Sequence, residues 1–241
     1  MLKGYTKGLD ISYSIGVYPT LELVVNRPEE VKKVLLDDRG TKNAGLAKIV
    51  DYCKQKGIAL ETNPKLVRRL AGSENAYCVG VFSKYQCSLE QSRNHVVLVN
   101  PSDMGNLGTS IRTMLAFDVV NLALIMPACD IFDPKVLRSS MGALFSINFA
   151  YFATFSDYQN RFNNNIYTLR TNADTNINDC KFEKPFSLVF GTESAGLSAE
   201  FNTIGRGVKI PHTQQVDSLN LAISVGITLQ HAYVQQKDLT E

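Results

Sequence analysis

Along the first eighty-five residues the apolar positions switch repeatedly between two spacings, and each switch predicts a new element. "YPTLELVVN" has helical spacing and is closed by Pro28, whereas "VKKVLL" reads as a strand. In "NAGLAKIVDYCKQKG" the residues Leu46, Ile49, Val50 and Cys53 recur at helical intervals, with Gly57 at the C-cap. "IALET" predicts a second strand, "PKLVRRLAG" a short helix with Pro64 near its start, and "YCVGVFS" a third strand. The polar stretch 84–94, "KYQCSLEQSRN", lacks periodicity and reads as a linker.

From His95 onward the alternation resumes with more apolar strands. "HVVLVN", "VVNLALIM", "FAYFAT", "IYTLRT", "FSLVFG" and "GVKIP" are the predicted strands. Helices are expected at "GNLGTSIRTMLAF" and "DPKVLRSSMGALF", with a long one from Ser218 to about Gln235, while "SDYQNRFNNN" reads as polar chain. Strands separated by helices predict an α/β fold, a mainly parallel sheet with helices on both faces. The domain boundaries expected from this pattern are 1–88 and 94–241.

Composition narrows the class. The chain has 241 residues, 44% hydrophobic and 20% charged, enough apolar material for a core without staples. Its five cysteines form no Cys-x-x-Cys pair, which predicts reduced packing thiols and no structural zinc. His95, His212 and His231 are too scattered to predict a metal cluster. No signal-peptide pattern opens the chain, and the apolar run 119–129 falls short of the ~20 residues of a membrane span. A soluble, cytoplasmic protein is expected. Net charge is only +2, but residues 1–90 hold 14 Lys/Arg against 10 Asp/Glu, and the remainder 11 against 13. A basic excess in one half suits a phosphate-contacting face, and equally an ordinary solvated surface.

In parallel α/β sheets ligands sit beyond the carboxyl ends of the strands, and three predicted strand-end loops share an unusual composition. The first is "NPSDMGNLGTSIRT" (100–113), in which Asn106 is expected to cap a helix and Gly105 and Gly108 permit close approach. Arg112 falls on a small-residue face with Gly108, Thr109 and Ala116, opposite a stripe of Leu107, Ile111, Met114 and Leu115. The second is "LVFGTESAGLS" (188–198), which places Gly191, Thr192 and the carboxylate of Glu193 at a strand end. It is not the Gly-x-Gly-x-x-Gly fingerprint, and the chain contains no phosphate loop ending in Gly-Lys-Ser/Thr. The third, "IPHTQQVDSLNLAIS" (210–224), sets polar residues before a helix apolar nearly all round, which predicts burial of that helix. Asp217 or Ser218 is the expected cap. Polar groups at the mouth of a buried helix need partners, so Ser218 and Asn220 have reason to face a ligand or a neighbouring loop.

Asn-Leu-Gly with Arg112 six residues after Asn106, then Gly-Thr-Glu-x-x-Gly-Leu, then Ile-Pro…Ser-Leu-Asn resemble, in order and spacing, the three motifs of SpoU (TrmH-like) SPOUT RNA methyltransferases. The resemblance covers the second half of the chain. Residues 1–88 resemble the small ribosomal-protein-like α/β domain with which many members hold RNA. The resemblance implies methyl transfer from S-adenosylmethionine to a ribose 2′-hydroxyl of ribosomal or transfer RNA. It also implies a homodimer and a C-terminal trefoil knot, a feature that general topology rules would not suggest.

By the same resemblance Arg112 faces the ribose and its phosphate. A guanidinium keeps its proton in ordinary surroundings, so stabilising a developing oxyanion is the role that fits it. Asn106, Glu193, Ser218 and Asn220 would hold Arg112 and the substrate in place, completing the catalytic set. Gly191, Thr192, Ile210, Pro211 and Leu219 would bind the cofactor, largely through backbone groups, and no metal is implied. One departure stands out: the family usually has Met and Gly where this chain has His212 and Gln214. Two rival readings share the motifs, a non-catalytic RNA-binding protein on the same fold and a SPOUT enzyme acting on a base.

Overall fold

The computed structural model describes residues 2–73 and 75–237. In chain order the first elements are β1 (Ile11–Ile15), α1 (Val17–Asn26), β2 (Val31–Leu36), α2 (Ala44–Lys56), β3 (Leu60–Thr62), α3 (Pro64–Ala71) and β4 (Cys78–Ser83). There follow β5 (His95–Val99), α4 (Met104–Ala116), β6 (Asn121–Ile125), α5 (Pro134–Ser139), β7 (Asn148–Phe152), α6 (Phe155–Arg161) and β8 (Asn165–Leu169). The last are β9 (Thr175–Asn176), β10 (Phe186–Phe190), β11 (Arg206–Lys209) and α7 (Leu221–Lys237). They form two compact units, residues 1–85 with 130–146, and residues 86–129 with 147–241.

The first unit is built on a sheet of order β1-β4-β2-β3, antiparallel except for the β2–β3 pair. Side chains alternate across it. Leu35, Val79 and Val81 join Tyr13 and Val67 on one side, while Val34 and Cys78 join Val24, Leu46, Ile49 and Cys53 on the other. Asn43 caps α2 through bonds from Gly45 and Leu46 N–H, and Asn63 caps α3 just ahead of Pro64.

Residues 130–146 depart from the sequence reading, which set them among the helices of the second unit. They complete the first. Ser12 donates to the Phe132 carbonyl at 2.5 Å, and Lys84 and Tyr5 both bind the Asp130 carboxylate. Phe82 meets Phe132 and Phe145 edge-on, at centroid distances of 5.9 and 5.3 Å. Periodicity cannot reveal this, because it marks an apolar helix face without naming the surface that covers it. Only the first part of the predicted helix forms α5; residues 143–146 make a separate 3-10 turn after Met141 and Gly142, both at positive φ.

The second unit is a seven-stranded sheet of order β7-β6-β5-β10-β8-β11-β9, parallel throughout. Every residue of β5, β6 and β10 is buried, as a sheet covered on both faces requires. One face packs Val97, Val99, Ala123, Ile125 and Val189 against Phe155, Tyr158 and Phe162. Two of these belong to α6, a helix that the polar segment 156–165 did not predict. Its signal is the capping box of Thr154 and Asp157, each side chain bonded to the other's backbone N–H. α4 and α7 pack together: Asn220 bonds Asn106, Gly226 lies over Thr113, and Tyr233 meets Phe117. Both residue numbers rise along these pairs, so the two helices run parallel.

Helix α7 overturns one expectation. Val225, Leu229 and Ala232 are buried, but Ile223, Ile227 and Val234 are 54%, 38% and 44% exposed. Its apolar circumference is therefore covered on one side only. Among the described residues no helix is long and apolar enough to cross a membrane.

Candidate functional site

The carboxyl ends of β8, β10 and β11 surround a cavity of about 410 Å³. Its wall consists of residues 169–172, 190–197, Val208, Ile210, His212, 217–219, Leu221 and Ser224. Such a volume suits a small-molecule ligand, and the position is where parallel sheets hold one.

Gly191 is the tightest point of the wall. A Cβ there would stand 2.0 Å from the Gly196 carbonyl carbon and 2.2 Å from Leu197 N, so only glycine fits. The loop that follows closes on itself. Thr192 and Gly196 exchange backbone hydrogen bonds of 3.1 Å, and Ala195 N–H donates to the Thr192 hydroxyl at 3.0 Å. Gly196 makes the turn at a φ of 67°.

Glu193 leaves this loop to bind the start of α4. Its carboxylate accepts from Ser102 Oγ at 3.0 Å, Ser102 N–H at 3.4 Å and Asp103 N–H at 3.1 Å. Burial alone would push the carboxyl up. The bonds from its own amide, Asp103 and Ser102 outweigh that and hold it below the usual glutamate range. Glu193 is thus an ionised tether with its oxygens occupied, not a proton acceptor.

Helix α4 is capped by Asp103, whose carboxylate takes Asn106 N–H at 2.7 Å; the cap expected at Asn106 lies three residues earlier. Asn106 is left to use its side chain otherwise. Its Oδ1 accepts from Asn220 Nδ2 at 2.9 Å, and Asn220 Oδ1 accepts from Ala222 and Ile223 N–H. Asn220 is therefore the cap of α7, in place of Asp217 or Ser218. The three loops form one hydrogen-bonded chain, from Glu193 through the α4 N-terminus and Asn106 to Asn220.

Of the ten residues singled out from sequence, Gly191, Thr192, Glu193, Ile210, Ser218 and Leu219 line the cavity, and Asn106 and Asn220 are tied beside it. Pro211 and Arg112 do not line it. Arg112 is exposed on α4, about 9 Å along the helix axis from Asn106 at ~1.5 Å per residue, and has no hydrogen bond or ion pair among the described residues. The β8 end was not anticipated, although the rule that placed the other loops applies to it equally. There Arg170 donates to Thr168 Oγ1 at 3.2 Å and to Asn202 Oδ1 at 2.5 Å, bracing the cavity wall across the edge of β11. Among the described residues no group of three or more His, Cys, Asp or Glu could hold a metal ion.

Residues 93–230 match the model of the SpoU rRNA Methylase family. An uncharacterised tRNA/rRNA methyltransferase of Synechocystis is 34% identical over 151 residues, covering 60% of this chain and 54% of that protein. A 23S rRNA (uridine(2479)-2′-O)-methyltransferase of Streptomyces viridochromogenes is 30% identical over 150 residues, covering 58% and 52%. The chain thus spans about half the length of these two curated relatives. Among solved structures, an AdoMet-bound rRNA methyltransferase of Sinorhizobium meliloti superposes with a TM-score of 0.77, 26% identity, and coverage of 92% of this chain and 87% of that one. The family model covers more than half of the chain and includes all three loops, so this protein belongs to the SpoU rRNA methylase family.

Proposed function

We propose that this chain transfers a methyl group from S-adenosylmethionine to the 2′-hydroxyl of a ribose in ribosomal or transfer RNA. The observation that supports this above others is the hydrogen-bonded chain that joins the three motif loops around one cavity. The cavity fits an adenosyl cofactor in size, and its glycine wall lets a ligand lie against backbone. Gly191, Thr192, Ile210 and Leu219 would hold the cofactor, with Pro211 fixing the backbone turn between Ile210 and His212. When bound, the cofactor supplies an electrophilic methyl group.

The remaining chemistry falls to side chains of this protein. A ribose hydroxyl attacks only if its developing negative charge is stabilised and it is aligned with the methyl. Arg112 meets the first need, since among the described residues no carboxylate neutralises its guanidinium. Ser218, at the cavity mouth, and Asn106 with Asn220 meet the second by fixing the two helix starts that border the site. Glu193 locks the Gly191 loop onto α4.

The active form we propose is a homodimer. The exposed stripe Ile223, Ile227 and Val234 on α7 is the kind of surface a second copy covers. Arg112 stands outside the cavity of its own chain, which fits a site completed across such an interface. We further propose a trefoil knot in the C-terminal region, on the strength of the family fold, and RNA binding by the first unit, on its basic surplus. The five cysteines form no disulfide among the described residues, and the cytoplasmic setting we propose rests on their reduced state.

The deciding experiment is incorporation of tritiated methyl groups from S-adenosylmethionine into total RNA, followed by mapping of 2′-O-methyl sites with and without the gene. Label at a ribose supports the proposal. Label confined to a base supports the base-methylating alternative, and RNA binding without label supports the non-catalytic one.

A further inference from the structure

His212 lines the cavity. Its Nδ1 lies 2.8 Å from the Ile210 carbonyl oxygen. A carbonyl can only accept, so Nδ1 carries the proton of that bond. In the neutral ring Nε2 is then a bare lone pair, a strong acceptor with no protein donor among the described residues. A thioether at this position would offer neither the bond to Ile210 nor a comparable acceptor.

The other ionisable groups lining the cavity are Arg170, Glu193 and Asp217. Arg170 spends Nε and Nη1 on Thr168, Asn172 and Asn202 and has no acceptor to offer, and Glu193 spends its oxygens on Ser102 and Asp103. Asp217 is exposed at the mouth. His212 is therefore a lining group that keeps a strong side-chain acceptor without a partner among the described residues.

We infer that His212 reads the adenosyl group of the cofactor, its Nε2 accepting from an N–H or O–H of the ligand. This rests on the cofactor reading above. The ligand donor is either the exocyclic amine of the base or a ribose hydroxyl, which present the same chemistry to Nε2.

The test is calorimetric titration of S-adenosylhomocysteine into the full chain at pH 8.0. His212→Met is expected to bind ~5–10-fold more weakly than wild type, on the scale of one hydrogen bond lost. Asp217→Asn should bind like wild type. Circular dichroism confirms that each variant is folded. S-inosylhomocysteine separates the two donors: a wild-type preference for the adenosyl ligand that His212→Met erases assigns the amine, and an unchanged preference assigns the hydroxyl. Equal affinity in wild type and His212→Met overturns the inference, as does an equal loss in Asp217→Asn. No binding by wild type sinks the cofactor reading itself, and this inference with it.

Discussion

Arg112 and Gly191 are opposite kinds of site residue, and their variants should fail in opposite ways. Arg112→Ala removes an exposed side chain without disturbing Leu107, Ile111 or Met114, the buried side of α4. Its expected effect is a ~10²–10³-fold loss of methyl transfer with cofactor affinity nearly unchanged, the size seen when one preorganised donor to an oxyanion is deleted. Tritium incorporation at saturating cofactor, beside a calorimetric titration, checks both halves. Near wild-type turnover would return Arg112 to the ordinary surface. Gly191→Ala drives a methyl into the backbone of Gly196 and Leu197, which cannot rotate aside as a side chain could. It should destabilise the protein by about 1–3 kcal/mol and abolish cofactor binding. A variant that melts and binds like wild type would show the loop to be more pliant than its hydrogen bonds imply. Sequence made these residues visible because their chemistry lies in residue type and spacing. It misassigned the helix caps because Asp103, Asn106, Asp217, Ser218 and Asn220 are all competent acceptors, and only the path of the backbone decides between them.

At the scale of elements, β5, β10 and α6 are held at their buried ends by a polar chain. His95 Nε2 lies 2.8 Å from the Glu90 carbonyl and Nδ1 2.8 Å from the Tyr158 hydroxyl, which is 2.5 Å from Ser187 Oγ. The carbonyl fixes the proton on Nε2, so Tyr158 donates to Nδ1 and Ser187 to Tyr158. Burial, only partly offset by Glu90, holds the His95 imidazole below its ordinary range. Folding therefore favours the neutral ring. Stability should be full above about pH 6.5, the unfolded value, and decline as pH falls through it. Denaturant melts between pH 7.5 and 5 check this, and His95→Gln should flatten the slope whatever it does to absolute stability. A slope unchanged in His95→Gln would place the titration elsewhere. Asp37 acts in a lower window. Its bonds to Arg39 hold it at about 2, so its contribution persists to about pH 4 and is lost only below that. The strands and long helices were legible because their apolar spacing runs over several turns or pleats. β1, β9 and α6 were not: β1 places two buried serines among its apolar residues, β9 has two residues, and α6 is a seven-residue, mostly polar stretch.

For the whole molecule, the exposed side of α7 sets the expected assembly. Ile223→Glu with Ile227→Glu should turn a dimer into a monomer in light scattering at micromolar concentration, because neither side chain contributes to the buried face. A dimer that survives both charges would move the interface away from α7. The partition of the chain matters here too. A fragment of residues 86–241 would expose Ile131, Phe132, Val136, Leu137, Leu144 and Phe145, all buried in this chain when residues 1–85 are present. That fragment should aggregate. The same fragment with residues 130–146 replaced by a flexible polar segment of equal length should be soluble and bind S-adenosylhomocysteine. If the unmodified fragment is itself soluble and monodisperse, residues 130–146 are less dependent on the first unit than their packing indicates.

That segment also imposes an order on synthesis. A ribosome releases residues 1–85 as a sheet whose Ser12 and Phe82 still await Phe132 and Phe145, and about sixty more residues must be made before the segment ending at residue 146 is complete. At ~5–20 residues per second the delay is roughly 3–12 s, during which the N-terminal unit is exposed on the side that residues 130–146 will cover. The first unit can thus finish only after residues 86–129 of the second have been made. Nascent-chain proteolysis should show residues 1–85 becoming resistant only once the ribosome has passed residue 146 by the length of its exit tunnel.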